Sequence, residues 1–303
     1  MTINKIEFDI LSYLTECDET TNVISDISKL SGVSFDEVIS SYSYLMDKGL
    51  IEDNKISDKG LEALEPFRVK KAFILAAGFG SRMVPVTLDR PKPLVKVNGK
   101  RIIDTLLTAL IRRDITDITI IRGYKKECFD ELLEDYPFIK LVDNDDYEVT
   151  NSISSLEKVI DEVGSCYICE ADFYIKNPDI IHKYNYSTNY LGAFVEETDD
   201  WCLDLDNGYV KNYRKGGKNC FMSYCISYWN KEDAKVLKED IKRQYEDVEG
   251  RNIFWEAVPL TLKHDNYKIE IKRCHKEDIL EIDTFDELVA IDASYKDYKA
   301  GEE

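Results

Sequence analysis

The chain has 303 residues, 44% of them hydrophobic and 11% aromatic, so a packed core is expected rather than disorder. Its formal net charge of -19 repels phosphate backbones and argues against general nucleic-acid binding. Apolar runs fall well short of the ~20 residues of a membrane span, so no membrane insertion is expected. The first ten residues, MTINKIEFDI, mix charges into their apolar positions, unlike an export signal, so a cytoplasmic chain is expected.

In chain order, residues 1–68 read as a small domain of their own. Ile6, Ile10, Leu11 and Leu14 mark one helical face, and Val23, Ile24, Ile27 and Leu30 a second, before Gly32. Ser34 is a candidate N-cap for a third helix carrying Val38, Tyr42, Leu45 and Met46, ended by Gly49. LIEDNKISDKG alternates like a two-stranded ribbon turning at Asp53-Asn54, and LEALEPF is a last helical turn stopped by Pro66. Three helices and a ribbon look like a winged helix. Its third helix carries Asp36, Glu37 and Asp47 against Lys48, so DNA is an unlikely partner, and dimerisation, packing on the catalytic domain or protein contact is the plainer role. A homodimer is compatible with the sequence, which does not fix the oligomeric state.

Residues 69–303 read as an α/β domain. An apolar strand at 72–77 is followed by a helix at 102–111, a strand at 118–122, a helix holding Phe129, Leu132 and Leu133, a strand at 139–142, a helix in SISSLEKVIDEV and a strand in SCYICEAD. That alternation implies a mostly parallel sheet covered by helices. Beyond Tyr190, four closely spaced segments (LGAFVEE, WCLDLD, YVKNYRK, FMSYCISYW) read as antiparallel strands with turns at Asp206-Asn207-Gly208 and Gly216-Gly217. Helical patterns return at 231–245, 252–263 and 284–295. Of eight cysteines, Cys166 and Cys169 form a C-x-x-C inside a strand, with no second pair at zinc-ribbon spacing, so reduced, structural thiols are expected.

The chemistry concentrates after the first α/β strand, in LAAGFGSRMVPVT followed by RPKPLV. A strand running into glycines presents backbone N–H groups to an anion, and Gly78 and Gly80 let it approach closely. Ser81 adds a donor, and Arg82 can grip two phosphate oxygens with its fork. From Arg82 to Arg101 the chain also carries Arg90, Lys92, Lys96 and Lys100 against one acid, Asp89. The spacing is neither the dinucleotide G-x-G-x-x-G nor a P-loop. A lone G-x-G after a strand would equally be a tight turn; the paired block is far more specific. Further on, Glu170 and Asp172 end a strand and Asp283 ends another, carboxylates that suit an oxygen-loving cation beside phosphates. Taken alone, Asp172 is also compatible with a solvated strand end and Asp283 with a helix cap.

The paired block, L-A-A-G-x-G-[ST]-R then P-K-P-[LM], resembles the nucleotidyltransferase superfamily that makes sugar nucleotides and CDP-alcohols. The resemblance runs from about Lys70 to Tyr295. It implies a Rossmann-like nucleotidyltransferase fold, a nucleotide held by Ala76, Ala77, Gly78, Gly80, Ser81, Tyr124, Asn151 and Ser152, and catalysis by Arg82 on the β- and γ-phosphates and Lys92 at the α-phosphate. It also implies Mg²⁺ on Asp172 and Asp283. NDDYEVTNSISSL, ADFYIKN, Trp201, SYCISYW, NIFWEAV and LEIDTFDEL resemble one branch, the bacterial choline-phosphate cytidylyltransferases. That branch implies CTP and phosphocholine as substrates, with Trp201, Asn252, Phe254, Trp255 and Glu256 around the trimethylammonium group. Ring faces and a carboxylate are what hold a cation that cannot donate hydrogen bonds. Asn252 stands where the branch has an acid, which keeps 2-aminoethylphosphonate open as the acceptor. A hexose-1-phosphate nucleotidyltransferase and a nucleotide-sensing transcription regulator are the remaining readings.

Overall fold

The computed structural model describes residues 2–16 and 22–301. The chain divides into two compact units, Met1–Arg68 with Tyr184–Tyr186, and Val69–Lys183 with Ser187–Glu303.

In the first unit, helices α1 (Lys5–Glu16), α2 (Val23–Ser31) and α3 (Phe35–Asp47) pack Phe8, Leu11, Ile27, Val38 and Leu45 into one core. Ser34 caps α3: its side chain accepts from the Glu37 N–H while Glu37 reaches back to the Ser34 N–H. Strands β1 (Ile51–Glu52) and β2 (Lys55–Ile56) pair around Asp53 and Asn54, whose φ angles of 50° and 59° are those a tight hairpin requires. Helix α4 (Asp58–Leu64) starts earlier than the sequence pattern suggests, because Ser57 caps it by accepting from the Gly60 N–H. Pro66 lies in the short 3₁₀ turn that follows.

The second unit runs through β3 (Lys71–Ala76), β4 (Lys96–Val97), β5 (Lys100–Arg101), α5 (Ile102–Ile111), β6 (Asp117–Arg122), α6 (Leu132–Asp135) and β7 (Lys140–Asp143). It continues with α7 (Ser152–Glu157), β8 (Cys166–Glu170), β9 (Phe173–Ile175), β10 (Asn189–Asp206), β11 (Tyr209–Trp229), α8 (Lys231–Glu246), β12 (Glu270–Cys274), β13 (Ile279–Glu281) and α9 (Phe285–Ile291). Seven strands form one sheet in the order β10-β12-β11-β8-β3-β6-β7. β3 is parallel to β6 and β8, β6 to β7 and β12 to β10, whereas β11 runs antiparallel to β8 and β10. This is the mixed, mostly parallel α/β sheet expected from the sequence. Adjacent residues of a strand face opposite sides, so Ile74 joins Leu106, Leu110 and Phe129 on one face and Phe73 joins Ile121, Leu156 and Trp229 on the other. Cys166 and Cys169 likewise fall into different core clusters and do not converge on one point.

Two expectations are corrected. The four segments after Tyr190 are two long, bent strands rather than four separate ones. Asn207 and Gly208 make the turn between β10 and β11, but Gly216 and Gly217 lie inside β11. Gly216, at φ 73°, faces a register shift between Thr198 and Trp201, and Leu203 pairs with both Tyr213 and Phe221. The glycine therefore bends the ribbon onto itself instead of ending a strand. The helix expected at 252–263 is reduced to a π-helical turn, Val258–Leu262. Trp255 N–H donates to Ser152 Oγ at 3.1 Å, outside its own segment, and Pro259 has no N–H to give, so a regular helix cannot close there.

Candidate active site

The carboxyl ends of β3, β6 and β8 lie side by side, and ligands of open α/β sheets bind off that edge. Beyond β3 the chain reaches Gly80 at φ 61° before the 3₁₀ turn Ser81–Met83. A Cβ on Gly80 would stand 2.9 Å from Lys92 Cβ and 3.1 Å from Thr87 Cγ2. Only glycine fits this left-handed position and lets the lysine segment lie against the loop. Open space surrounds Gly78, so its main chain is approachable.

Lys92, held between Pro91 and Pro93, is only 7% exposed, and its ammonium donates to Asp283 Oδ1 at 2.8 Å and to Asp172 Oδ2 at 3.2 Å. Burial alone would lower its pKa; the two carboxylates outweigh that and raise it, so Lys92 stays charged. Arg82 reaches the same place from the loop, 2.8 Å from Asp283 Oδ2. Asp172 and Asp283, far apart in sequence, meet because β13 pairs antiparallel with β9, Glu281 opposite Phe173. The helix-cap alternative for Asp283 falls away. Thr284 caps α9 by accepting from the Glu287 N–H, and Glu287 in turn accepts from the Asp283 and Thr284 N–H groups. The Asp283 carboxylate is thereby left for the two cations.

Asp172 Oδ1 is buried and has no hydrogen-bond partner. An orphaned carboxylate oxygen beside a second carboxylate fits a hard divalent cation, which needs only one or two protein carboxylates when phosphates complete its shell. Around them the field is strongly acidic. Burial, then Asp200, Asp283 and Asp172, push the Glu281 carboxyl up to about 8. Burial, then Glu256 and Asp172, raise that of Glu170. Such a corner favours cations.

A second cluster adjoins it. Trp201 stacks on Tyr213 (4.6 Å between ring centroids) and meets the exposed Phe254 edge-on at 6.1 Å. Glu256 is 2% exposed, and burial pushes its carboxyl up to about 7, with Asp172 adding a repulsive contribution. Trp255 departs from expectation: it is fully buried, stacked on Tyr190 and edge-on to Trp229, so it presents no ring face to a ligand. Its backbone tie to Ser152 holds it in the core. Only the indole N–H edge approaches Glu170 and Glu256, favouring their ionised forms without a well-formed hydrogen bond. Asn252 is exposed.

The nucleotide set assigned by resemblance is placed as follows. Ala76 and Ala77 are buried where β3 ends, and Ala77 O accepts from the Tyr124 N–H. The Tyr124 hydroxyl donates to Thr87 O at 2.9 Å. Asn151 caps α7 by accepting from the Ser152 N–H. Arg101, counted among the basic residues of the block, is instead locked by Asp104, Glu131 and Asp135 and belongs to the scaffold. Glu281, Tyr213 and Thr87 are the neighbours that sequence reasoning did not single out. Glu170 was noted for its spacing to Asp172 but left without a role of its own; nothing in the sequence points to Tyr213.

Comparison with known proteins identifies the family. Residues 71–199 match the nucleotidyl transferase family. The chain is 36% identical over 228 residues to a 2-aminoethylphosphonate cytidylyltransferase of Lancefieldella rimae, covering 74% of this chain and 92% of that one. It is 33% identical over 219 residues to a choline-phosphate cytidylyltransferase of Streptococcus pneumoniae, covering 71% and 93%. The solved CTP:phosphocholine cytidylyltransferase of Streptococcus pneumoniae superposes with a TM-score of 0.69 at 30% identity, over 75% of this chain and 99% of that one. With its glycine loop, lysine and paired carboxylates assembled at one sheet edge, the chain belongs to the nucleotidyl transferase family and, within it, to the cytidylyltransferases.

Proposed function

We propose that the chain transfers CMP from CTP to phosphocholine, giving CDP-choline and pyrophosphate. The observation that carries this reading is the buried Lys92 ammonium, set between Asp172 and Asp283 and directly behind Gly80. An oxygen of the acceptor phosphate attacks the α-phosphorus of CTP, and the bond to the β-phosphate oxygen breaks as pyrophosphate leaves. A phosphate is already nucleophilic at neutral pH, so no general base is required. Lys92 neutralises charge at the α-phosphate, Arg82 grips the β- and γ-phosphates, and the backbone of Gly78–Ser81 cradles them. Asp172 and Asp283 are the residues that would hold Mg²⁺; when bound, the ion supplies charge neutralisation to the phosphates. Tyr124, Asn151 and Ser152 border the nucleotide. We read the first unit as a winged-helix appendage used for protein contact.

The half-buried Trp201 and the exposed Phe254, backed by Tyr213 and Glu256, support a cationic head group. Replacing Trp201 by alanine is expected to raise the KM for phosphocholine about five- to thirtyfold, the worth of one ring face of ~1–2 kcal/mol. The KM for CTP should stay near its original value, and Trp201→Phe should be milder. Steady-state kinetics with each substrate varied in turn checks both.

A second acceptor, 2-aminoethylphosphonate, is favoured by one specific feature. The buried Glu256 carboxyl acts on both the Tyr190 hydroxyl and the Glu170 carboxyl, so acceptors gather at this side of the pocket. A primary ammonium has three N–H donors for such acceptors and a quaternary one has none. Comparing kcat/KM for the two acceptors decides between them: the phosphocholine reading requires phosphocholine to be the better substrate, and a preference for 2-aminoethylphosphonate overturns it.

A further inference from the structure

We propose that Thr87 and Tyr124 are positioning residues that lock the glycine loop into its anion-receiving shape. The inference rests on the reading of that loop as the triphosphate cradle. Thr87 is 1% exposed, and its hydroxyl donates to Gly80 O at 3.0 Å. The same carbonyl accepts the Met83 N–H at 3.0 Å, which closes the turn carrying Ser81 and Arg82. On its other side, Thr87 O accepts the Tyr124 hydroxyl at 2.9 Å. Tyr124 also donates its backbone N–H to Ala77 O at 3.1 Å, at the entrance of the loop.

One tyrosine therefore ties the start of the loop to Thr87, and Thr87 ties itself to the end. Gly123 fits the arrangement, since a Cβ there would come within 2.8 Å of Ala77 Cβ and of Tyr147 Cγ. The brace also reaches the catalytic lysine, because Gly80 is wedged between Thr87 Cγ2 and Lys92 Cβ. Phe79, between the two glycines, leans on the same tyrosine, 5.4 Å between ring centroids, and on Tyr147 at 5.2 Å. A loop with glycines at 78 and 80 has large conformational freedom when unrestrained. Fixing it before the nucleotide arrives removes an ordering cost from binding. The hydroxyl of Tyr124 is thus engaged with the protein, and its effect on the nucleotide runs through the loop.

The test uses the full-length protein with Thr87→Val, which keeps the branched shape and removes the hydroxyl, and Thr87→Ser, which keeps the hydroxyl. Hydrogen–deuterium exchange of the amides of residues 78–83 is measured without substrate, and CTP affinity by calorimetry. Thr87→Val should speed exchange in that segment and weaken CTP about tenfold, the scale of one lost hydrogen bond. The acceptor KM should be unmoved, and Thr87→Ser should remain close to wild type. Tyr124→Phe should act in the same direction, and its combination with Thr87→Val should fall short of the product of the two effects. Tyr124→Phe carries the test alone if Thr87→Val does not fold. Unchanged loop exchange and CTP affinity in these variants, or a Thr87→Ser as impaired as Thr87→Val, overturns the brace while leaving the cytidylyltransferase reading intact. A wild-type protein that does not bind CTP overturns that reading, and the brace's role with it.

Discussion

Lys92→Ala is expected to lower kcat by about 10³-fold while the dissociation constant for CTP changes by less than about tenfold. The lysine is buried, flanked by two prolines and fixed by two carboxylates, so its charge is held in place at little reorganisation cost. Its ammonium should interact most strongly where charge accumulates as the α-phosphorus is attacked. Binding of the ground-state triphosphate is shared with Arg82 and the loop backbone, so it should suffer less. Lys92→Arg keeps the charge but enlarges the head group in a position with almost no free surface, and it should recover little. Single-turnover kinetics beside equilibrium CTP binding separates the two quantities, and a variant with near-normal turnover removes Lys92 from the assigned role.

Asp283→Ala should cut activity by at least about 10²-fold, on the scale of losing one charge-stabilising group. Its carboxylate is the point shared by Lys92 and Arg82, both at 2.8 Å, so its loss releases both cations from their common anchor. Among the described residues, Asp172 pairs only with Lys92, at 3.2 Å, and its second oxygen has no hydrogen-bond partner. Asp172→Ala should therefore disturb Arg82 less. Both variants should also lose their response to added Mg²⁺. Titrating Mg²⁺ against rate for wild type and both variants checks this, and a normal Mg²⁺ dependence in either would detach that residue from the metal. Because Thr284 caps α9, thermal melting of Asp283→Ala should show that the helix start survives.

The parts of the site carried by local pattern were readable from the sequence. The apolar run before Gly78 had to be a buried strand, and the glycines with Arg82 and Lys92 stood in one short block. The convergence of Asp172 with Asp283 was not readable by physical pattern alone, since it depends on the pairing of β13 with β9 across more than a hundred residues. Resemblance supplied the two aspartates, and the strand register supplies the reason they meet. Arg101 was misjudged because charge in a sequence does not show its partners; Asp104, Glu131 and Asp135 come from three other elements.

The aromatic side of the pocket was the least legible. Trp201 and Trp255 look alike in sequence, yet one stacks near the surface on Tyr213 and the other fills the core beneath Tyr190. The difference is set by the bend at Gly216 and by the bond from Trp255 to Ser152, both of which are tertiary facts. A helical spacing at 252–263 was outweighed by the same bond and by Pro259.

The proposed transfer of a cytidylyl group onto phosphocholine makes CDP-choline the diagnostic product. The most direct test incubates purified full-length protein with Mg²⁺, CTP labelled at the α-phosphate and phosphocholine, and follows both products. Label should appear in CDP-choline with one pyrophosphate released for each, dependent on the acceptor and lost in Lys92→Ala. Pyrophosphate release without a labelled CDP-alcohol, or a clear preference for another nucleotide with a hexose 1-phosphate, would contradict it.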